Sequence, residues 1–264
     1  MARPYTLRAM SPIDPTVPFD LTGRVAIVTG ASSGLGARFA RVLDAAGASV
    51  VVTARRADRI EALAGELRDG LAVAADLAEP GAANVIVDAT RERFGRLDVL
   101  VNNAGAGSDL PAIDLPVDDF RRIIEVNLVA PFALAQAAAA VMLEQGVGSI
   151  VNIASQFGLV GTSAGLSAYS AAKGGLVNLT RHLAAEWSPR GVRVNALAPG
   201  YFATEMTQDV FEDERFVAWT TRNTPLRRTG REGELDGALL YLASDASSYT
   251  TGSVLVVDGG WTAV

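Results

Sequence analysis

Seven short runs of mostly β-branched, apolar residues are spaced along the chain, separated by longer stretches with helical periodicity. The runs are Val25–Thr29, Val50–Thr53, Leu71–Ala75, Val99–Asn102, Ser149–Ile153, Val192–Ala196 and Val254–Val257. Most are apolar throughout rather than alternating, as strands buried on both faces are. The helical patterns cover about 34–46, 58–68, 82–94, 118–144, 168–187 and 232–243. Strands alternating with helices predict βαβ units, and hence an α/β fold with a doubly wound parallel sheet of about seven strands and helices on both faces. At 264 residues the chain suits one such domain, residues 21–264. Residues 1–20, with Pro4, Pro12, Pro15 and Pro18, read as an irregular N-terminal extension without the apolar core of an export signal. The stretch from Tyr201 to Thr229 has the weakest pattern and reads as a loop with short helices, able to move over a site.

Several chemistries are excluded at once. There is no cysteine, so no disulfide, thiol nucleophile or Cys-ligated metal. A single histidine, His182, rules out a His-rich metal site. A net charge of −6 argues against a general nucleic-acid or anionic-membrane binder. The longest apolar stretch, Leu128 to Met142, is short for a bilayer span and reads as a buried helix. The expected location is cytoplasmic.

The first strand runs into Thr29-Gly30-Ala31-Ser32-Ser33-Gly34-Leu35-Gly36, and a helix follows. Glycines let a backbone turn tightly and approach a ligand, and a helix start offers N–H groups to a pyrophosphate. In dinucleotide folds an acidic residue about 20 positions on binds the ribose 2′-hydroxyl. Here Ala54 stands at that place, eighteen residues after Gly36, and Arg55 and Arg56 follow it. Two arginines would attract a 2′-phosphate, so NADP(H) is favoured, with NAD(H) as the alternative. A plain solvated face is the other reading of this pair.

Tyr169 and Lys173 lie four residues apart in a strongly helical run, on one helix face. Lys173 is the chain's sole lysine. A tyrosine, with a pKa of about 10, is a poor base near neutrality, and a nearby ammonium would favour its phenolate. The pair is therefore a candidate for proton exchange with an alcohol or carbonyl.

With these motifs the chain resembles the short-chain dehydrogenase/reductase superfamily, over essentially all of residues 21–264. Further matching features are Asp76-Leu77 after the third strand, Asn102-Asn103-Ala104-Gly105 after the fourth, Asn127, Ser155, Pro199-Gly200, Thr204, and the closing Val257-Asp258-Gly259-Gly260. The resemblance implies a Rossmann-type sheet and an oxidoreductase that moves a hydride between nicotinamide and a carbonyl or alcohol carbon. Tyr169 would be the general acid and base. Lys173 would tune it and bind the nicotinamide ribose, Ser155 would hold the substrate oxygen, and Asn127 would hold a water linking Lys173 to solvent. Ser163 or Ser167 could replace Ser155, and Asn127 could be a polar residue bonded to backbone. For the cofactor, Gly30, Ser32, Ser33, Gly34, Leu35 and Gly36 would cradle the pyrophosphate, with Ser32 and Arg55 near the 2′-phosphate. Asp76 and Leu77 would meet the adenine. Asn103, Ala104 and Gly105 would pass the ribose, and Pro199, Gly200 and Thr204 would line the nicotinamide. His182 is read as structural.

The substrate wall would come from Gln156, Phe157, Leu159, Tyr201, Phe202, Phe211, Phe216 and Trp219, which suits a neutral or partly apolar carbonyl compound. A 3-oxoacyl-type or other small ketone is favoured. A sugar acid or polyol, as for gluconate 5-dehydrogenase-like enzymes, is the alternative, and a non-catalytic nucleotide-binding module is a third reading. Relatives of this kind commonly form homotetramers or homodimers, and the helices 118–144 and 168–187 are apolar enough for that.

Overall fold

The computed structural model of the protein describes residues 14–205 and 211–264. Seven strands form one parallel sheet: β1 (Val25–Thr29), β2 (Ser49–Ala54), β3 (Gly70–Ala74), β4 (Val99–Asn102), β5 (Gly148–Ile153), β6 (Val192–Pro199) and β7 (Val254–Val257). Their order is β3-β2-β1-β4-β5-β6-β7, a Rossmann-type doubly wound topology. The strand order reverses between β1 and β4, which places a crevice beyond their carboxyl ends.

Each inner strand sends alternate side chains to opposite faces, and each face buries its own core. On one face Val28, Val50 and Val52 pack with Phe39 and Leu43 of α1 (Gly34–Ala45), Ile60 and Leu63 of α2 (Ala57–Glu66), and Leu239 and Leu242 near the C-terminus. On the other, Ile27, Val51, Leu100 and Ile150 pack with Ile86 of α3 (Ala82–Phe94), Leu134 and Met142 of α5 (Ala130–Gln145), and Leu183 and Trp187 of α6 (Ser167–Trp187). Ahead of α5 runs α4 (Val117–Ile124), and α7 (Glu214–Asn223) and α8 (Asp236–Ala243) follow β6.

Three departures from the sequence pattern have physical causes. The helix expected over 118–144 holds five residues of π-helix, Glu125–Val129, between α4 and α5. Pro131 has no N–H to give the carbonyl four residues before it, that of Asn127, and the widened turns accommodate this, with Ala130 N–H reaching Glu125 O. From Val117 to Gln145 the helical run is 29 residues, long and apolar enough by length and composition to cross a membrane, so the length argument from Leu128–Met142 does not hold. Half of its most apolar window is buried within the protein. The last helix begins at Asp236 rather than 232, because Gly233 at φ +90° lies outside the helical region. β3, expected to be buried on both faces, is half-buried because it is the sheet's edge.

At the switch point the two strand ends are clamped. The Thr29 hydroxyl, 1% exposed, accepts from the N–H groups of Asn103 and Ala104, both at 2.9 Å. The Asn103 amide donates back to the Thr29 carbonyl at 2.9 Å. Thr29→Val keeps the shape and removes the hydroxyl, leaving those donors unsatisfied. It is expected to lower unfolding stability by about 2–3 kcal/mol in urea titration, and an unchanged midpoint would refute the clamp.

Candidate active site

The glycine turn follows β1 directly. Gly30 and Gly34 have φ of +66° and +53°, the left-handed region that glycine tolerates. At Gly36 a Cβ would come within 2.4 Å of the Gly30 carbonyl oxygen and 2.6 Å of the Asn103 amide nitrogen, so only glycine fits. Ser33 is the N-cap of α1 yet makes no side-chain capping bond. Its hydroxyl instead accepts from Arg56 at 2.9 Å, and Ser32 accepts from the same guanidinium at 2.8 and 3.1 Å.

The second strand's arginines thus divide. Arg56, rather than Arg55, lies against the turn. The Arg55 side chain is 76% exposed and lies 4.0 Å from Asp76. Arg56 also donates twice to Glu205 at 2.9 Å, and Arg59 donates to the same carboxylate at 2.9 Å. These bonds, with the Ser33 hydroxyl nearby, hold the Glu205 carboxyl far below the usual carboxylate range. The place that the sequence reserves for a 2′-phosphate therefore already fits an anion. The residues present suit a phosphorylated dinucleotide.

The Tyr-Lys helix lies beyond β5. Lys173 is buried and donates from Nζ to the Ile153 carbonyl at 2.8 Å. Its ammonium stands 5.5 Å from the centre of the Tyr169 ring. The Ser155 hydroxyl stands near enough to Tyr169 to favour its phenolate, and Ser155 Oγ accepts from the Phe157 N–H at 3.2 Å. Asn127 is fully buried; its amide donates to the carbonyls of Ala106 and Ile123 at 2.7 and 2.8 Å. Its Oδ1 and Lys173 Nζ both border Gly105, lying 2.9 and 3.8 Å from where a Cβ would stand there. So Ser155, Tyr169, Lys173 and Asn127 gather around the β4 and β5 ends. The Asn127 side chain is spent on the backbone of Ala106 and Ile123, as the polar-residue reading of it expected.

The electrostatics differ from the sequence expectation. Burial pushes the Tyr169 phenol up, and the nearby Ser155 hydroxyl only partly offsets this. Burial also brings the Lys173 ammonium down to about 8. Burial thus works against the charged form of both groups, but a lysine at about 8 still carries its proton at neutral pH.

Other residues fall as follows. Asp76 accepts from the Ala78 N–H at 3.1 Å just past β3, with Leu77 beside it, packed on the α3 and α5 core. Pro199 ends β6, and the Gly200 N–H donates to the Val257 carbonyl at 2.9 Å. Leu35 packs on the α1 core. Thr204 lies on the glycine turn: its Cβ is 3.3 Å from the Cβ position of Gly34. Phe157, Tyr201, Phe216 and Trp219 join an edge-to-face ring cluster in which Phe211 meets Phe216. Phe202 does not belong to it; at 8% exposure it packs into the core under Gly230. His182, read as structural, is 76% exposed and lies 3.8 Å from Glu186.

Four groups escaped the sequence reading. Arg59 and Glu205 are distant in sequence and meet only through folding. Trp261 contacts Tyr201 and Trp219, with centroids 5.3 and 5.2 Å apart. Asn152 is buried and accepts from Asn102 at 2.9 Å while donating to Thr180 of α6 at 2.9 Å, which ties the Tyr-Lys helix to β4 and β5. Pro131 was the one available signal for the irregular helix at Asn127.

The family model for enoyl-(acyl carrier protein) reductase matches residues 30–262. The chain belongs to the short-chain dehydrogenase/reductase superfamily. It is an NAD(P)-dependent oxidoreductase of that superfamily, acting on carbonyl and alcohol groups. The chain is 39% identical over 248 residues to gluconate 5-dehydrogenase of Gluconobacter oxydans (strain 621H), covering 92% of this chain and 96% of that protein. It is 41% identical to galactitol 2-dehydrogenase (L-tagatose-forming) of Cereibacter sphaeroides, covering 92% and 97%. Among solved structures, gluconate 5-dehydrogenase from Burkholderia cenocepacia J2315 in complex with NADP and tartrate superposes with a TM-score of 0.92, at 36% identity over 95% of this chain and 100% of that one.

Lys173 gives a prediction with a definite sign. Its folded pKa, about 8, lies below the ordinary lysine value of about 10.4. Between those values the unfolded chain holds the extra proton, so stability climbs as pH rises. At pH 7 burial of the charge costs about 3 kcal/mol, of which the bond to Ile153 returns about 1. Lys173→Met is therefore expected to be about 2 kcal/mol more stable than wild type at pH 7, with the gap closing above about pH 10, while activity falls at least about 100-fold. Equal stability at every pH would refute the buried charge.

Proposed function

We propose that this dehydrogenase interconverts a secondary alcohol and its ketone on a polyol or sugar-acid type substrate, using NADP(H). The observation that carries the reading is the joint one at the two ends of the crevice: an anion seat of Arg56, Arg59, Ser32 and Ser33, and Tyr169 near Ser155 with the buried Lys173 ammonium 5.5 Å from its ring. The relatives named for gluconate and galactitol support this substrate class over the 3-oxoacyl thioester favoured on sequence, although the family model carries an acyl-carrier-protein name. The NADP bound by the Burkholderia enzyme supports the cofactor.

When bound, the nicotinamide supplies the hydride acceptor or donor. The proton steps fall to this chain. In reduction, Tyr169 gives its phenolic proton to the substrate oxygen while the Ser155 hydroxyl donates to that same oxygen as charge develops on it. Lys173, whose ammonium burial brings down to about 8, returns a proton to Tyr169. In oxidation the sequence reverses. Gln156 adds a polar contact: it is 1% exposed and neither of its amide atoms has a partner among the described residues, a state that a substrate hydroxyl or carboxamide would relieve. The ring cluster around Tyr201 would shield the carbon framework from water.

The same reading places the protein in the cytoplasm and pairs it with a second copy. A groove of about 520 Å3 lined by Leu128, Val129, Phe132, Gly175, Leu179 and His182, with none of the four candidate catalytic residues, would lie in that contact.

The test is a panel of D-gluconate, galactitol and an acetoacetyl thioester with NADP(H) and NAD(H), followed by nicotinamide absorbance. A polyol or sugar acid is expected to turn over with a kcat/KM at least about tenfold above the thioester, and Tyr169→Phe to lower kcat by about 1,000-fold. Faster thioester reduction would overturn the substrate class. Gln156→Leu is expected to raise KM for the best substrate several-fold with kcat little changed; an unaltered KM removes Gln156 from the substrate contacts.

A further inference from the structure

We propose that Glu205 is a built-in occupant of the 2′-phosphate seat, which the cofactor's 2′-phosphate must displace, and that it thereby sets cofactor choice. The inference rests on the NADP(H) reading above. Arg56 at the start of α2 and Arg59 within its first turn both donate to the Glu205 carboxylate, at 2.9 Å, and the Ser33 hydroxyl on the other side of Arg56 adds to its stabilisation. Two guanidinium groups and a hydroxyl converging on one anion is the chemistry that holds a phosphate monoester. Arg56 also grips Ser32 and Ser33 of the glycine turn, so the seat adjoins the pyrophosphate cradle.

A second contact points the same way. Thr204, the neighbouring residue, lies over the turn, with its Cβ 3.3 Å from the Cβ position of Gly34. Residues 204 and 205 therefore cover the turn and the arginines together. The strap is anchored on its N-terminal side by Tyr201, whose ring meets Phe157 and Trp261 at 5.7 and 5.3 Å. A carboxylate offers one negative charge and two acceptor oxygens. A phosphate monoester offers up to about two charges and three oxygens, so it outcompetes Glu205 for the same donors. A dinucleotide with a free 2′-hydroxyl brings no charge to the exchange and leaves Glu205 seated. The Glu205 side chain is 44% exposed, so solvent screens the contact and the energy at stake is modest.

The test is isothermal titration of the full, cofactor-free chain with adenosine 2′,5′-bisphosphate and with 5′-AMP, on wild type, Glu205→Ala and Glu205→Gln, with thermal unfolding to show that each variant is folded. Both variants are expected to bind the bisphosphate at least about threefold more tightly than wild type and 5′-AMP with unchanged affinity. If wild type prefers the bisphosphate but neither variant tightens, the NADP(H) reading stands and the role of Glu205 falls. If wild type and variants alike bind both ligands equally, the NADP(H) reading fails and takes the proposal with it. Weaker 5′-AMP binding by the variants would make Glu205 a ribose ligand and overturn the proposal.

Discussion

Everything functional in this protein hangs on the clamp between β1 and β4. A parallel sheet whose strand order reverses there must splay the two following connections apart, and the crevice between them is where a dinucleotide would lie across the sheet. Thr29 and Asn103 hold the two strand ends together from both sides, hydroxyl to backbone N–H and amide to backbone carbonyl. Gly36 can then press α1 against that junction with no room for a Cβ. The phosphate turn and the Asn103–Gly105 loop are thereby fixed relative to each other before any ligand arrives.

A second polar set, buried and fully bonded, carries that order to the catalytic helix. Asn102, Asn152 and Thr180 link β4, β5 and α6, and the Lys173 ammonium caps the Ile153 carbonyl at the end of β5. Such networks specify one arrangement because a shift of any member strands buried donors. Burying Lys173 costs stability, and the cost is what brings its proton within reach of neutral pH. The catalytic set is thus a strained electrostatic arrangement held by a well-satisfied scaffold around it.

The strap after β6 behaves in the opposite sense. It is held by solvent-exposed ion pairs and edge-to-face rings rather than by a buried network. Contacts of that kind are individually weak and readily exchanged. A rigid crevice with an exchangeable cover suits a reaction in which a large cofactor and a small substrate must both enter, and in which water must afterwards be kept from the reacting carbon.

The sequence by itself determined the layered α/β sheet, its strand count and the pairing of Tyr169 with Lys173; Ser155's place beside them came from the family resemblance. Those features follow from local patterns: apolar runs of strand length, glycines where the backbone must turn, and an i, i+4 pair on one helix face. The π-helical turns at Asn127 broke the helix expected over 118–144, and only Pro131, whose missing N–H is a local fact, pointed to them. What tertiary structure alone decided are matters of distance and burial. Arg56 turns inward and Arg55 outward, a choice between adjacent side chains that depends on where Ser32 and Glu205 come to lie. Phe202 enters the core while Tyr201 joins Trp261, because β6 continues to Pro199 and fixes which side of the chain faces the sheet. The proton affinities of Tyr169 and Lys173 are set by desolvation, and a sequence lists ionisable groups without saying how much water surrounds them.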